Sequence, residues 1–284
     1  MDRVALFHRE TLAFEAAARK AAGTGASPLV RACPGWSVAD LVLHLGQVHR
    51  LIICVIDERL KQLPDTSDLA VFEVPVGAED WPMPENAPNR AAPPTSLLDW
   101  FAEGAATLES LFSSRDPGEE VWTWAPEQTT GFWLRMQTIE AAVHRWDAES
   151  ASGTAQPVDA GLAADAIGQN FTVMAPARRA WKQAPAGSGE RYLLRQTDGS
   201  GLWNVRFEGE DVRLSHDVRT SQGVRTSQDV RTSEGKEVGS RSLELTGTAS
   251  DLLLFLWQRI PADPLDVTGD RSLLDHYFTL VPPI

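Results

Sequence analysis

The spacing of apolar residues changes once along this chain, and the change separates two kinds of structure. As far as about residue 180, apolar positions recur every three or four residues, as one buried helix face requires. Beyond the segment APAGSG (184–189) they alternate, as strands covered on one face require. The patterns predict a helical domain over 1–180 followed by a small α+β domain over 181–284.

Four helices are expected in the first half. The first covers Asp2 to Ala22. The second follows the run CPGW (33–36), where Pro34 and Gly35 break the chain. Ser37 is a natural N-cap there, and Asp40, three residues on, completes a capping-box start. Leu41, His44, Leu45, Val48, Leu51, Ile52 and Val55 then share one face. Pro64, Pro75, Pro82, Pro84, Pro88, Pro93 and Pro94 exclude a continuous helix and predict a long extended loop. The third helix starts near Ser96 and the fourth runs from Phe132 to Ala151. Four helices with two long connections fit a bundle whose inner faces can carry polar groups. A further helix starts at Asp159.

In the second half, the stretches 191–199, 202–214 and 241–249 read as strands, with turns at Asp198-Gly199 and Gly209. A helix capped by Ser250 and a short last helix within 269–280 complete the domain. The unit VRTS[QE] occurs at Val218, Val224 and Val230, a period too short for a helical solenoid. It reads as an expanded, mobile hairpin loop.

A 284-residue chain with 43% hydrophobic and 23% charged residues can build its core without a disulfide framework. A net charge of −13 argues against nucleic acid and anionic membrane surfaces as partners. Cys33 and Cys54 are its two cysteines, which makes a reducing cytoplasm the expected compartment. No apolar run is expected to reach the roughly 20 residues that span a bilayer. The N-terminal segment reads as an amphipathic helix rather than a signal peptide.

TIEAAVHRWD (138–147) places Glu140 and His144 one helical turn apart. With His44 on the apolar face of the second helix, two imidazoles and one carboxylate would make a metal site with open positions. Zinc suits such a set; ligand type alone does not exclude iron, nickel or cobalt. The spacing by itself more often describes an ordinary surface or core-edge pair. Asp147, three residues after His144, is either an acceptor for its imidazole N–H or a solvated carboxylate beside Arg145. Cys33, just ahead of a helix start, invites a nucleophile reading but reads better as structural; Trp122, Trp124, Trp133 and Trp146 read as core aromatics, with a rim role open to Trp122 or Trp124. His49 lies off the face of His44, and His8, His216 and His276 read as solvated.

CPGWSVADLVLHLGQVHR, MQTIEAAVHRWDAES and VDAGLAADAI together resemble the mycothiol-dependent maleylpyruvate isomerase family. GTASDLLLFLWQRIP and VTGDRSLLDHYF resemble that family's C-terminal domain. The resemblance spans nearly the whole chain apart from the proline-rich loop and the VRTS repeat. It implies a DinB-like metal-binding four-helix bundle followed by a sterol-carrier-like α+β domain. It assigns a divalent-metal triad to His44, Glu140 and His144, and to Arg259 the holding of an anionic substrate or thiol. The implied activity is metal-assisted attack of mycothiol, or a similar small thiol, on an electrophilic small molecule. Release of the thiol after bond rotation gives cis–trans isomerisation of a maleylpyruvate-like diacid; retention gives an S-transferase. A non-catalytic carrier of an apolar ligand is the alternative from another class.

Overall fold

The computed structural model describes residues 1–216 and 241–283. Two compact units, Met1–Pro157 and Val158–Ile284, make up the chain.

The first unit is a four-helix bundle: α1 (Arg3–Ala22), α2 (Val38–Asp57), α3 (Thr95–Ser114) and α4 (Thr130–Ala151). Local chemistry sets their starts. Asp2 caps α1 by accepting the Ala5 N–H, and Thr129 caps α4 by accepting the Phe132 N–H, both at 3.1 Å. Ser37 and Asp40 form the expected capping box at α2: the Ser37 N–H donates to Asp40 Oδ2 at 2.8 Å while the Ser37 hydroxyl accepts the Asp40 N–H.

Helix α1 packs on α4 and α2 on α3. Phe7, Phe14, Leu41, Leu45, Ile52, Leu97, Phe101, Leu108, Ile139 and Val143 fill the centre. Gly46 lets α2 approach α3 closely, because the edge of the Trp100 indole occupies the place a Cβ would take. By length and composition α2 would pass as a membrane span, contrary to the expectation from its sequence. Most of it is buried inside the bundle, as befits the core helix of a packed domain.

The proline-rich segment after α2 is irregular apart from two short 3-10 turns, Leu69–Phe72 and Pro84–Asn86. Its far end is tied back to the bundle. Asn89 donates its backbone N–H to Asp40 Oδ2 and its amide to Asp40 Oδ1, while its carbonyl accepts the Ser37 hydroxyl at 2.6 Å.

The second unit opens with α5 (Ala160–Gln169), a π-helical turn (Asn170–Met174) and α6 (Ala175–Trp181). The sequence alone put a boundary after residue 180, ahead of the first strand. The compact units divide between Pro157 and Val158, and α5 packs on α7 of the second unit.

The sheet contains β1 (Gly187–Gln196), β2 (Leu202–Gly209), β3 (Asp211–His216), β4 (Ser242–Gly247) and β5 (Asp266–Gly269), in the order β3-β2-β1-β4-β5. Its neighbours are antiparallel except β1 and β4, which run parallel. Gly209, at φ +58, makes the tight turn between β2 and β3. Tyr192, Leu194, Trp203, Val205, Phe207, Leu243 and Leu245 are the buried residues of alternating strand positions. Helices α7 (Ala249–Leu256) and α8 (Leu273–Leu280) complete this α+β unit.

Two local readings change. Thr248, not Ser250, caps α7, accepting the Asp251 N–H at 3.1 Å. Ser250 lies in the first turn and its hydroxyl accepts the Val158 N–H. The three VRTS copies lie outside the described residues, but their flanking strands do not. β3 sits at the sheet edge and β4 pairs with β1, so the strands on either side of the repeat are not hairpin partners.

Candidate metal centre

The turn before α2 is compact. Cys33 N–H donates to the Val30 carbonyl at 3.1 Å, Trp36 N–H to the Cys33 carbonyl at 3.0 Å, and Val30 N–H to the Trp36 carbonyl at 2.9 Å. Gly35 accommodates the left-handed backbone this requires, with φ +85. The capping box then fixes where α2 starts, and hence the direction in which His44 leaves the helix two turns later. Leu41 and Leu45 are fully buried on either side of it.

On α4, Ile139, Ala141, Ala142 and Val143 are fully buried, so this turn of the helix is enclosed on most sides. His144 is 7% exposed and Asp147 is not exposed at all. Glu140 lies one turn ahead of His144 and is half-buried.

His44 and His144, far apart in sequence, meet edge to face with ring centroids 5.4 Å apart. The Trp36 ring stands against His44 at 5.0 Å. Burial, and then the neighbouring His144 and His49, push the His44 pKa down to about 3. At neutral pH its imidazole is therefore uncharged and keeps a lone pair for a ligand. His144 Nδ1 lies 2.9 Å from Asp147 Oδ2. A proton on Nδ1 donated to that carboxylate leaves the lone pair of His144 on Nε2. Of the two readings open for Asp147, the buried acceptor is the one the geometry realises.

The sulfur of Cys33 also reaches Asp147 Oδ2, at 3.5 Å. Donor atoms of Cys33, His144 and Asp147 all lie within 4.8 Å of one another, close enough to hold an ion. Two orientations of use thus compete at His144. A cation among Cys33, Nδ1 and Asp147 would displace the hydrogen bonds that now join them. A cation on the Nε2 side would leave those bonds intact and make Asp147 the imidazole's orienting partner, the usual arrangement for ligating histidines. Two imidazoles, one held neutral, with a carboxylate one turn away are donors that fit a divalent ion.

Arg259 belongs to the second unit, where a Schellman motif positions it. Its N–H donates to the Leu254 carbonyl at 2.7 Å and the Gln258 N–H to Phe255 at 2.9 Å, with Gln258 at φ +57. The guanidinium donates from Nη1 to the Trp257 carbonyl at 2.8 Å and lies 5.8 Å from the Trp257 ring centroid.

His49 is fully buried between Phe7 and Phe101, and neither of its ring nitrogens has a hydrogen-bond partner among the described residues. It takes no part in the centre. Trp122 meets Trp133 with the rings tilted at 5.9 Å, and Trp124 meets Phe132 edge to face at 5.3 Å; both tryptophans are half-buried. Cys33 is the residue near the centre that sequence reasoning set aside; its place in CPGW, directly ahead of the capped helix, was the available signal.

Residues 7–149 match the family model of the mycothiol maleylpyruvate isomerase N-terminal domain, and residues 161–276 match that of the MDMPI C-terminal domain. No curated protein sequence matches the chain. Among solved structures, it is similar to a histidine-to-alanine mutant of the mycothiol-dependent maleylpyruvate isomerase. That match has 15% identity and a TM-score of 0.53, covering 94% of this chain and 92% of the other. At that identity the likeness speaks for the fold. With family models matched over both units, the chain belongs to the mycothiol maleylpyruvate isomerase family.

Proposed function

We propose that this protein is a divalent-metal, mycothiol-dependent enzyme that acts on an electrophilic small molecule, with cis–trans isomerisation of a maleylpyruvate-like diacid as its reaction. His44, Glu140 and His144 are the proposed ligands, zinc the proposed metal and the cytoplasm the proposed compartment. The observation that carries this reading is the meeting of His44 and His144 at 5.4 Å, inside a bundle of the family that uses this thiol.

A bound dication supplies positive charge that favours the thiolate form of a thiol brought to it. The chain's own residues supply the rest. Burial keeps His44 neutral. Asp147 accepts the Nδ1 proton of His144 and fixes which nitrogen is left for a ligand. Arg259, held at the end of α7, provides a permanent cation suited to a carboxylate of a diacid.

Elemental analysis of the purified protein, followed by assay with mycothiol and maleylpyruvate, tests the proposal. We expect close to one metal ion per chain, fumarylpyruvate as product, and loss of both in H44A. Metal-loaded protein that leaves maleylpyruvate unchanged but forms a thiol adduct with electrophiles would replace the isomerase reading by an S-transferase. Protein that binds no divalent ion would overturn the proposal and favour a non-catalytic ligand carrier.

A further inference from the structure

One short turn touches one candidate imidazole directly and reaches the other through Asp147. Trp36 packs against His44 at 5.0 Å, and Cys33 reaches Asp147 Oδ2, the same oxygen that lies against His144 Nδ1. The two contacts come from residues three apart in a turn closed by its own backbone bond from Trp36 to Cys33. We infer that this Cys33–Trp36 turn is the device that orients the metal centre, with Cys33 a positioning residue that acts on His144 through Asp147. The inference rests on the reading of His44 and His144 as ligands.

The physical basis is competition for one oxygen. Asp147 is wholly buried, so its charge is stabilised by the donors the fold brings to it. A thiol is a weak donor, and at 3.5 Å to sulfur it lends the carboxylate a further hydrogen bond without displacing the one at 2.9 Å to the imidazole. The thiol thereby fixes the side-chain torsion of Asp147 and moderates its pull on the Nδ1 proton. Both effects pass to the donor strength and direction of Nε2. As a donor to Asp147, Cys33 is not itself required to ligate the ion.

Cobalt(II) is the probe, added to metal-free full-length protein in the absence of any small thiol. Affinity is read by chelator competition and geometry by the visible spectrum. C33A should bind cobalt about tenfold more weakly, the low end for loss of a group that orients a ligating histidine. C33V, which fills the space without a donor, should match C33A; C33S, which restores a donor, should recover most of the loss. Circular dichroism and melting of each variant identify one that has failed to fold. Wild-type affinity in both C33A and C33V would overturn the inference. So would a sulfur-to-cobalt charge-transfer band in the wild type that disappears in C33S, because Cys33 would then be a ligand. Wild-type binding in both H44A and H144A would remove the ligand reading itself, and the inference with it.

Discussion

Glu10 of α1 and Arg145 of α4 form a buried ion pair, with 2.6 Å between Oε2 and Nε, at the residue next to His144. Arg145 also donates to Glu149 and to the carbonyls of Gln156 and Pro157, so this one guanidinium holds the end of α4, the chain after it and α1 together. E10A removes one charged acceptor and leaves the others. The expected loss is about 2 kcal/mol, the range for a hydrogen bond to a charged group. Urea unfolding of the metal-free protein measures it.

Asp147 should matter more for metal than for folding. D147N keeps the shape but replaces a charged acceptor by a neutral one. A cobalt affinity lower by roughly 10–100-fold is expected, the usual effect of losing such a partner. Chelator competition gives the number; an unchanged affinity would detach Asp147 from the centre.

His49 predicts an acid-sensitive bundle. Burial, and then the charge of Arg50, push its pKa down to about 3. Between the unfolded value of about 6.5 and that folded value, the unfolded chain binds a proton the folded chain does not. Stability therefore rises with pH: the contribution is complete above about pH 6.5 and is lost as pH falls towards 3. The slope from this one residue is roughly 1 kcal/mol per pH unit. In H49F it should disappear. The variant should also be as stable as the wild type or more so at pH 7, since two unpartnered buried nitrogens are removed. Paired urea titrations at pH 7 and pH 4.5 test both statements.

Gly46 should tolerate no side chain. A Cβ there would collide with the Trp100 indole. That ring cannot easily move, because it packs on Trp81 at 5.1 Å and its Nε1 donates to the Glu73 carbonyl at 3.1 Å. G46A should cost about 1–3 kcal/mol despite the higher helix propensity of alanine. A melting temperature equal to that of the wild type would contradict this.

What was legible in the sequence was what depends on neighbours along the chain. The Ser37–Asp40 capping box is a contact of three residues' reach, and the shared faces of α2 and α4 follow from helical spacing alone. The pairing of β4 with β1 rather than β3 depends on partners far apart in sequence, so the flanks of the VRTS segment were misread as a hairpin. β5 is four residues long with too few alternations to register. Thr248 and Ser250 are both good caps, and only the geometry of the first turn decides between them. At the candidate centre, helix faces suggested His44 and His144 together. The bond between Cys33 and Asp147 joins opposite ends of the bundle sequence, and no local pattern announces it.

Asp40 serves the start of α2 and the return of the proline-rich segment with one carboxylate. Everything between the exit from α2 and Asn89 is thereby bracketed by two anchored ends. Lengthening or shortening such a bracketed stretch costs little chain entropy. Relatives could differ widely there while the register of the helix bearing His44 stays constant. Replacing Asp40 would couple those two properties, loosening the segment's return and the helix start in a single step.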